Sequence, residues 1–342
     1  MRNCFISRNY KTVKSGGGRV RTDLEKIMTD MGFQNLGLQQ SRHHNMVFDF
    51  FYTFTSVMKG VMSLRRGDTL VIQYPMKKYY EFVCDMAHRK GVKVVTVIHD
   101  LGCFRRKKLT VEREMERLAH SDALIVHNPT MHKWLKDHGY QGEMQIIGLF
   151  DYLSPAPITS KRQAPNAPGE YSIFFAGSLT TKHNEFIYML PEQLKGHKFY
   201  LYGAGFREDL AKEELVYKGF AADYELMENN LGDFGLSWYG ESLTEGKGMI
   251  GEYMAYNNPH KILLYLRCSA PVIIGKEAAL APFIEENGIG ICVDTLENLG
   301  DVLEKVTLED YKRMQKNAKA MSDKIASGYF FRTAFTELQK RM

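Results

Sequence analysis

The residues best suited to chemistry are Tyr256-Asn257-Asn258-Pro259-His260-Lys261. They run into the apolar stretch Ile262 to Cys268 and then into Ser269-Ala270-Pro271-Val272-Ile273-Ile274. This pattern predicts a polar loop, a helix opening at a proline, and a buried strand. Proline suits the first helical turn, where its missing N–H costs nothing. That turn also carries the positive end of the helix dipole and N–H groups the helix does not use. Lys261 adds a full positive charge. Donors, dipole and ammonium on one point are what a phosphate or diphosphate requires. A nucleotide-linked substrate is therefore the first expectation.

Other candidates carry two readings each. His99-Asp100 follows the β-branched run Val92 to Ile98, at the carboxyl end of a parallel strand, where reacting groups collect. A carboxylate or imidazole there could take a proton from an attacking hydroxyl. Equally, Asp100 could cap the next element and His99 be satisfied by backbone. His127 and Asn128 end the next strand with the same ambiguity. Ser15-Gly16-Gly17-Gly18, between a strand and a helix starting near Arg19, is either a flexible turn or a close approach of backbone to an anion. Neither it nor Gly203-Ala204-Gly205-Phe206-Arg207-Glu208 completes the three-glycine dinucleotide fingerprint, which argues against NAD. The polar loop Gly240 to Asn258 holds Glu241, Glu245 and Glu252. Its length fits a lid that orders on the ligand or a plain surface loop, and Glu252 is near enough in sequence to reach a ribose.

Those groups need a scaffold. A chain of 342 residues suits two domains. Buried β-branched strands at Thr69–Tyr74, Val92–Ile98 and Ala123–His127 alternate with helical segments, and a second alternating run begins at Tyr171. That is the signature of parallel sheets covered on both faces. Between the runs, Ser154-Pro155-Ala156-Pro157 and Ala164-Pro165-Asn166-Ala167-Pro168-Gly169 hold four of the ten prolines and mark a linker. The expected division is residues 1–153, a linker over 154–169, a second domain over 170–326, and a last helix over 327–342.

Composition bounds the partners. Lys+Arg 45 against Asp+Glu 40 speaks for an ordinary solvated surface and against nucleic acid. The basic bunches Arg65-Arg66, Lys77-Lys78 and Arg105-Arg106-Lys107-Lys108 are compatible with peripheral contact at an anionic membrane face. The five cysteines are odd in number and lack metal-ligand spacing, as expected for reduced, packed thiols in a cytoplasmic protein. The apolar window Val47 to Met62 is too short and polar to span a bilayer. It is expected to pack in the core, with an interfacial or acceptor-facing role as the alternative.

On Ile98-His99-Asp100, Phe175-Ala176-Gly177-Ser178-Leu179, Tyr217-Lys218-Gly219-Phe220, and Tyr256 to Lys261 with Leu264-Tyr265-Leu266 and Pro271-Val272-Ile273, the chain resembles the GT-B glycosyltransferases. Within them it is similar to the bacterial β-1,6-galactofuranosyltransferases and the adhesin-glycan glucosyltransferases. The resemblance implies an α/β chain of two doubly wound, Rossmann-like domains facing across a cleft, the C-terminal helix crossing back to the first. It implies a UDP-sugar donor on the second domain and transfer of galactofuranose or glucose to a saccharide hydroxyl, on a lipid- or protein-linked acceptor. Lys261 would hold the diphosphate, helped by N–H groups around Asn257 and Asn258. Ser178 and Lys182 would lie near the diphosphate or sugar. Tyr217, Gly219 and Phe220 would border the uracil, while Gly16 and Gly17 would approach from the first domain. Asp100 would be the base, with His99 as its substitute. No cofactor or metal is implied, and self-association into a homo-oligomer is compatible. Glu245 and Glu252 stand one residue short of the Glu-x7-Glu pair of many GT-B enzymes, so the sugar contact does not carry over. A nucleotide-sugar epimerase and a non-catalytic partner protein are the alternatives.

Overall fold

The computed structural model describes the chain except residues 1, 9–15, 42–44, 77–78, 106–108, 154–164, 166 and 245–247. The chain divides into two compact units, one of residues 1–151 with 328–342, the other of residues 152–327. Of the expected linker, most residues lie outside the described ones, as do Lys77, Lys78, Arg106 to Lys108, Glu245 and Gly246.

The first unit is built on six parallel strands: β1 (Asn3–Phe5), β2 (Gln34–Asn35), β3 (Thr69–Tyr74), β4 (Lys93–Ile98), β5 (Ala123–Val126) and β6 (Glu143–Ile146), in the order β2-β1-β3-β4-β5-β6. Val94, Val95, Val97 and Ile98 of β4 are wholly buried. Such continuous apolar runs arise because helices cover both faces of a parallel sheet. Helix α1 (Gly16–Asp30) opens three residues before the expected Arg19 and takes the glycines into its first turn. After β2 comes α2 (Met46–Ser63), which Asn45 caps by accepting from the N–H groups of Val47 and Phe48. Helix α3 (Tyr80–Arg89) follows β3. The expectation that Val47 to Met62 packs in the core holds for one face only, which leaves the exposed-face alternative in place for the other. Its Ser56, Val57, Gly60 and Val61 are buried, but Val47, Phe51, Phe54 and Met62 are exposed. Alternation of apolar and polar residues locates one buried face, and here the second face is apolar too.

The terminal helix Tyr329–Gln339 belongs to this unit. Gly328 introduces it with φ of +75°, a left-handed backbone that favours glycine. The Asp151 carboxylate accepts from the N–H groups of Phe330 at 3.0 Å and Phe331 at 2.8 Å. Phe331 and Phe335 pack their rings on Phe33.

The second unit holds β7 (Ile173–Ala176), β8 (Phe199–Tyr202), β9 (Leu215–Tyr217), β10 (Phe234–Ser237), β11 (Val272–Gly275) and β12 (Gly290–Val293), all parallel, in the order β12-β11-β10-β7-β8-β9. The strand order reverses between β7 and β10, so a crevice opens there at the carboxyl ends. The expected lid loop is not featureless: it contains a short helix, Gly248–Tyr253. The helix expected after Tyr256 spans His260–Arg267. Pro259 stands outside its first turn as the N-cap, with extended φ of −64° and ψ of 125°. Its ψ is not helical, so His260 and Lys261 become the first two helical residues.

Candidate functional site

Lys261 is placed by its helix and by the sheet beneath it. Ile262, Leu263, Tyr265 and Leu266 are buried under the helix. Tyr265 ties the helix to both strands at the crevice: its hydroxyl donates to Leu236 O at 3.1 Å and accepts from Ala176 N at 3.2 Å. At the far end, Arg267 donates to Ser322 O at 3.1 Å and Ser322 Oγ at 2.8 Å. The helix start is thereby fixed against the ends of β7 and β10.

The Lys261 ammonium lies 3.7 Å from the centroid of the Phe175 ring and 3.9 Å from that of Tyr239. Part of the side chain remains accessible, yet its nitrogen is enclosed. Burial lowers its pKa well below the lysine range. Two aromatic faces attract the cation, but among the described residues no carboxylate pairs with it. An enclosed cation without an anion is costly, and an arriving anion removes that cost. Two nearby orphans share the neighbourhood by sequence position. Ser237 Oγ, at the end of β10, and Asn257 Oδ1, in the turn before Pro259, are buried without hydrogen-bond partners among the described residues.

The other expected donor-side residues gather on the ends of β7, β8 and β9. Gly177 and Ser178 are exposed just past β7. Ser178 shares a hydrogen bond with Thr180 at 3.0 Å, and its carbonyl accepts from Asn184 at 2.8 Å. Lys182 is exposed in the short helix Thr181–Asn184. Gly203 has φ of +147°, and a Cβ there would stand 1.8 Å from Gly177 O, so only glycine allows the two strand ends to close up. Tyr217 donates to Gly203 O at 3.0 Å and stacks on Phe206 with ring centroids 4.6 Å apart. Gly219 accepts from Gly203 N at 2.9 Å, and Phe220 beside it is exposed. Asn257 N–H is already donated to Tyr253 O at 3.0 Å, so its amide side chain, not its backbone, is what it offers. Asn258 is buried, and Glu252 is exposed on its short helix.

In the first unit, Gly16 and Gly17 form the opening turn of α1, with backbone N–H groups that the helix leaves unused. Asp100 is partly accessible just past β4, with its carboxylate 4.0 Å from Arg21. His99 is 2% exposed, stacked on Phe150, with Nε2 donating to Gln73 Oε1 at 2.8 Å. His127 is fully buried and donates from Nε2 to Ile98 O at 2.9 Å, and burial pushes its pKa down to about 4. Asn128 caps the Pro129–Asp137 helix by accepting from Met131 N at 2.8 Å. Those contacts make His127 and Asn128 structural. Sequence reasoning did not single out Phe175 or Tyr239 as partners of Lys261. Tyr239 follows a strand end at the switch point, a signal that could have found it.

Two family descriptions match the chain: the N-terminal domain of glucosyltransferase 3-like proteins over residues 3–149, and their C-terminal domain over residues 173–338. The chain belongs to the glucosyltransferase 3-like family. Among its relatives, the β-1,6-galactofuranosyltransferase WbbI of Escherichia coli (strain K12) is 30% identical over 328 residues, 95% of this chain and 94% of that one. Glucosyltransferase 3 of Streptococcus gordonii is 25% identical over 322 residues, 91% and 90% of the two chains. Of solved structures, Anabaena Alr3699/HepE, crystallised in complex with UDP, superposes with a TM-score of 0.62 at 12% identity over 100% of both chains. WaaG, a glycosyltransferase involved in lipopolysaccharide biosynthesis, superposes with a TM-score of 0.50 at 14% identity over 97% and 98% of the chains. Two parallel six-stranded sheets with flanking helices are the GT-B fold that the sequence resemblance implies. For this member of the family all five cysteines are free thiols. Among its described residues no helix is long and apolar enough to cross a membrane.

Proposed function

We propose that the chain transfers a hexose from a UDP-sugar to a saccharide hydroxyl, with the donor diphosphate held at Lys261. The observation that carries this is the enclosed Lys261 ammonium, without a carboxylate among the described residues, at the start of a helix beside the β7/β10 switch point. A diphosphate supplies the missing anion and meets the helix dipole. As the bond from the sugar to the diphosphate breaks, negative charge grows on the leaving oxygen, and a fixed cation there lowers the barrier. Lys261 and the helix start take this charge without a metal or other cofactor, so turnover should persist in chelator.

Asp100 is assigned as the base that takes the proton from the attacking hydroxyl, because it is accessible where His99 is enclosed and engaged. Ser178, Lys182, Gly16 and Gly17 are assigned to the donor phosphates and sugar. Tyr217, Gly219 and Phe220 are assigned to the uracil, and Glu252 with Asn257 and Asn258 to the remaining donor contacts. Galactofuranose is the donor sugar favoured by the 30% identity to WbbI, with glucose as the alternative offered by glucosyltransferase 3. The acceptor is a lipid- or protein-linked glycan handled in the cytoplasm.

The test is a screen of UDP-galactofuranose and UDP-glucose with and without a saccharide acceptor, products resolved by mass spectrometry. Acceptor-dependent gain of one hexose supports the reading. A changed sugar nucleotide without acceptor would identify an epimerase, and no turnover with intact UDP binding would point to a non-catalytic role.

A further inference from the structure

Glu114 is wholly buried, and the proposed reaction does not use it. It lies on the Val111–Leu118 helix, which Thr110 caps by accepting from Arg113 N at 3.2 Å. A carboxylate inside a protein is costly unless its oxygens are engaged. Here both accept: Oε1 from the Tyr74 hydroxyl, and Oε2 from Cys103 N at 2.7 Å. The neighbours of Glu114 fix the helix that carries it. Arg113 and Arg117 reach Glu81 on α3 at 2.7 Å and 3.1 Å. Tyr74, the last residue of β3, is equally immobile. It is fully buried, with its ring centroid 4.9 Å from that of Tyr80 and 5.8 Å from the Arg117 guanidinium.

These contacts converge on the turn after β4 and on the short helix Gly102–Arg105 that it enters. On the near side of the turn, His99 N donates to Tyr74 O at 3.0 Å. On the far side, Cys103 N donates to Glu114, which the Tyr74 side chain holds in turn. Between them Leu101 is fully buried, and a Cβ on Gly102 would stand 3.1 Å from Glu114 Oε2. Residues 100–102 are thus pinned at both ends to one tyrosine, once through its carbonyl and once through its hydroxyl by way of Glu114. Asp100 is the polar side chain on that span. We propose that Glu114 is a positioning residue for Asp100, holding this turn so that the Asp100 carboxylate meets the attacking hydroxyl. The inference rests on the assignment of Asp100 as base. A base must stand within hydrogen-bond reach of the proton it takes. With the pin at His99 alone, the turn could swing about that end, and the second pin through Glu114 removes this freedom.

The experiment compares Glu114→Ala, Glu114→Gln, Asp100→Asn and the double variant Asp100→Asn/Glu114→Ala. It reads kcat for hexose transfer from whichever of UDP-galactofuranose and UDP-glucose the native chain turns over, the UDP dissociation constant, and the melting temperature. A misplacement of ~1 Å costs on the order of 100-fold in rate, so Glu114→Ala should lower kcat by about that factor and leave UDP affinity within about twofold. Glu114→Gln keeps an acceptor for Cys103 N and turns its amide to the Tyr74 oxygen, so its kcat should stay within about threefold of native. The double variant should be no more than about threefold slower than Asp100→Asn, because the pin then has no base to aim. Tyr74→Phe removes only the hydroxyl and reports even if Glu114→Ala fails to fold; it should lower kcat about tenfold at unchanged UDP affinity. Native kcat in folded Glu114→Ala or Tyr74→Phe, beside a slow Asp100→Asn, would overturn the pin and leave the base assignment standing. Losses that multiply in full in the double variant would also overturn it, since Glu114 would then not act through Asp100. A native kcat in Asp100→Asn would remove the base assignment and the pin together.

Discussion

Asp100 and His99 are neighbours in sequence that differ in exposure, His99 at 2% and the Asp100 side chain at 16%, and that difference separates their roles. His99 is held by Gln73 and stacked on Phe150. Its substitution disturbs packing before it disturbs chemistry. Asp100 stays accessible, with Arg21 at 4.0 Å. Replacing a general base while keeping its size removes about 10²–10⁴-fold in rate. Asp100→Asn should therefore lower kcat by that order and leave the UDP dissociation constant, measured by calorimetry, within about twofold. A near-native kcat would make Asp100 structural. The dipeptide was legible in the sequence because it ends the strongest strand. Which member keeps part of its side chain accessible was not, since that depends on Gln73 and Phe150, distant in the chain. The same holds at Lys261. Its position in a helix start was readable, but its aromatic cage of Phe175 and Tyr239 comes from strands far apart in sequence.

The elements that present these residues carry their own tests. The ends of β7 and β8 meet where Gly203 lies 1.8 Å, measured from an added Cβ, from Gly177 O. Neither backbone can yield without breaking the Gly177 N to Tyr202 O bond at 2.9 Å. Gly203→Ala should cost roughly 2–4 kcal/mol, from strain and overpacking together, read as a lower denaturation midpoint. The cap of the terminal helix is tested by pH. Burial pushes the Asp151 carboxyl up to about 7, against the opposing pull of the Phe331 and Phe330 N–H groups and of Arg332. In the unfolded chain the same group titrates near ~3.9. Between those values the folded protein keeps a proton the unfolded chain has released, so stability falls as pH rises from about 4 to 7 and levels off above. Asp151→Asn should flatten that part of the stability profile in chemical denaturation at stepped pH. An unchanged slope would show that the carboxyl titrates normally. Long β-branched strands were readable from composition alone, whereas β2 and β9, of two and three residues, were not. Helix α2 was legible on one face only, because an apolar window does not say how many of its faces are covered.

Over the whole chain, alternation of strands and helices disclosed two α/β units, and the family resemblance implied the late return of a terminal helix. The strand orders, with a switch between β7 and β10, had to come from the structure. Lys261 is an enclosed cation without a carboxylate among the described residues, so its removal relieves a burial cost while deleting the diphosphate contact. Calorimetric titration of UDP into native protein and Lys261→Ala, with melting temperatures in parallel, tests this directly. Native protein should bind UDP, and the variant should melt no lower yet bind at least about 100-fold more weakly. Equal UDP affinity in a folded Lys261→Ala protein would contradict the account.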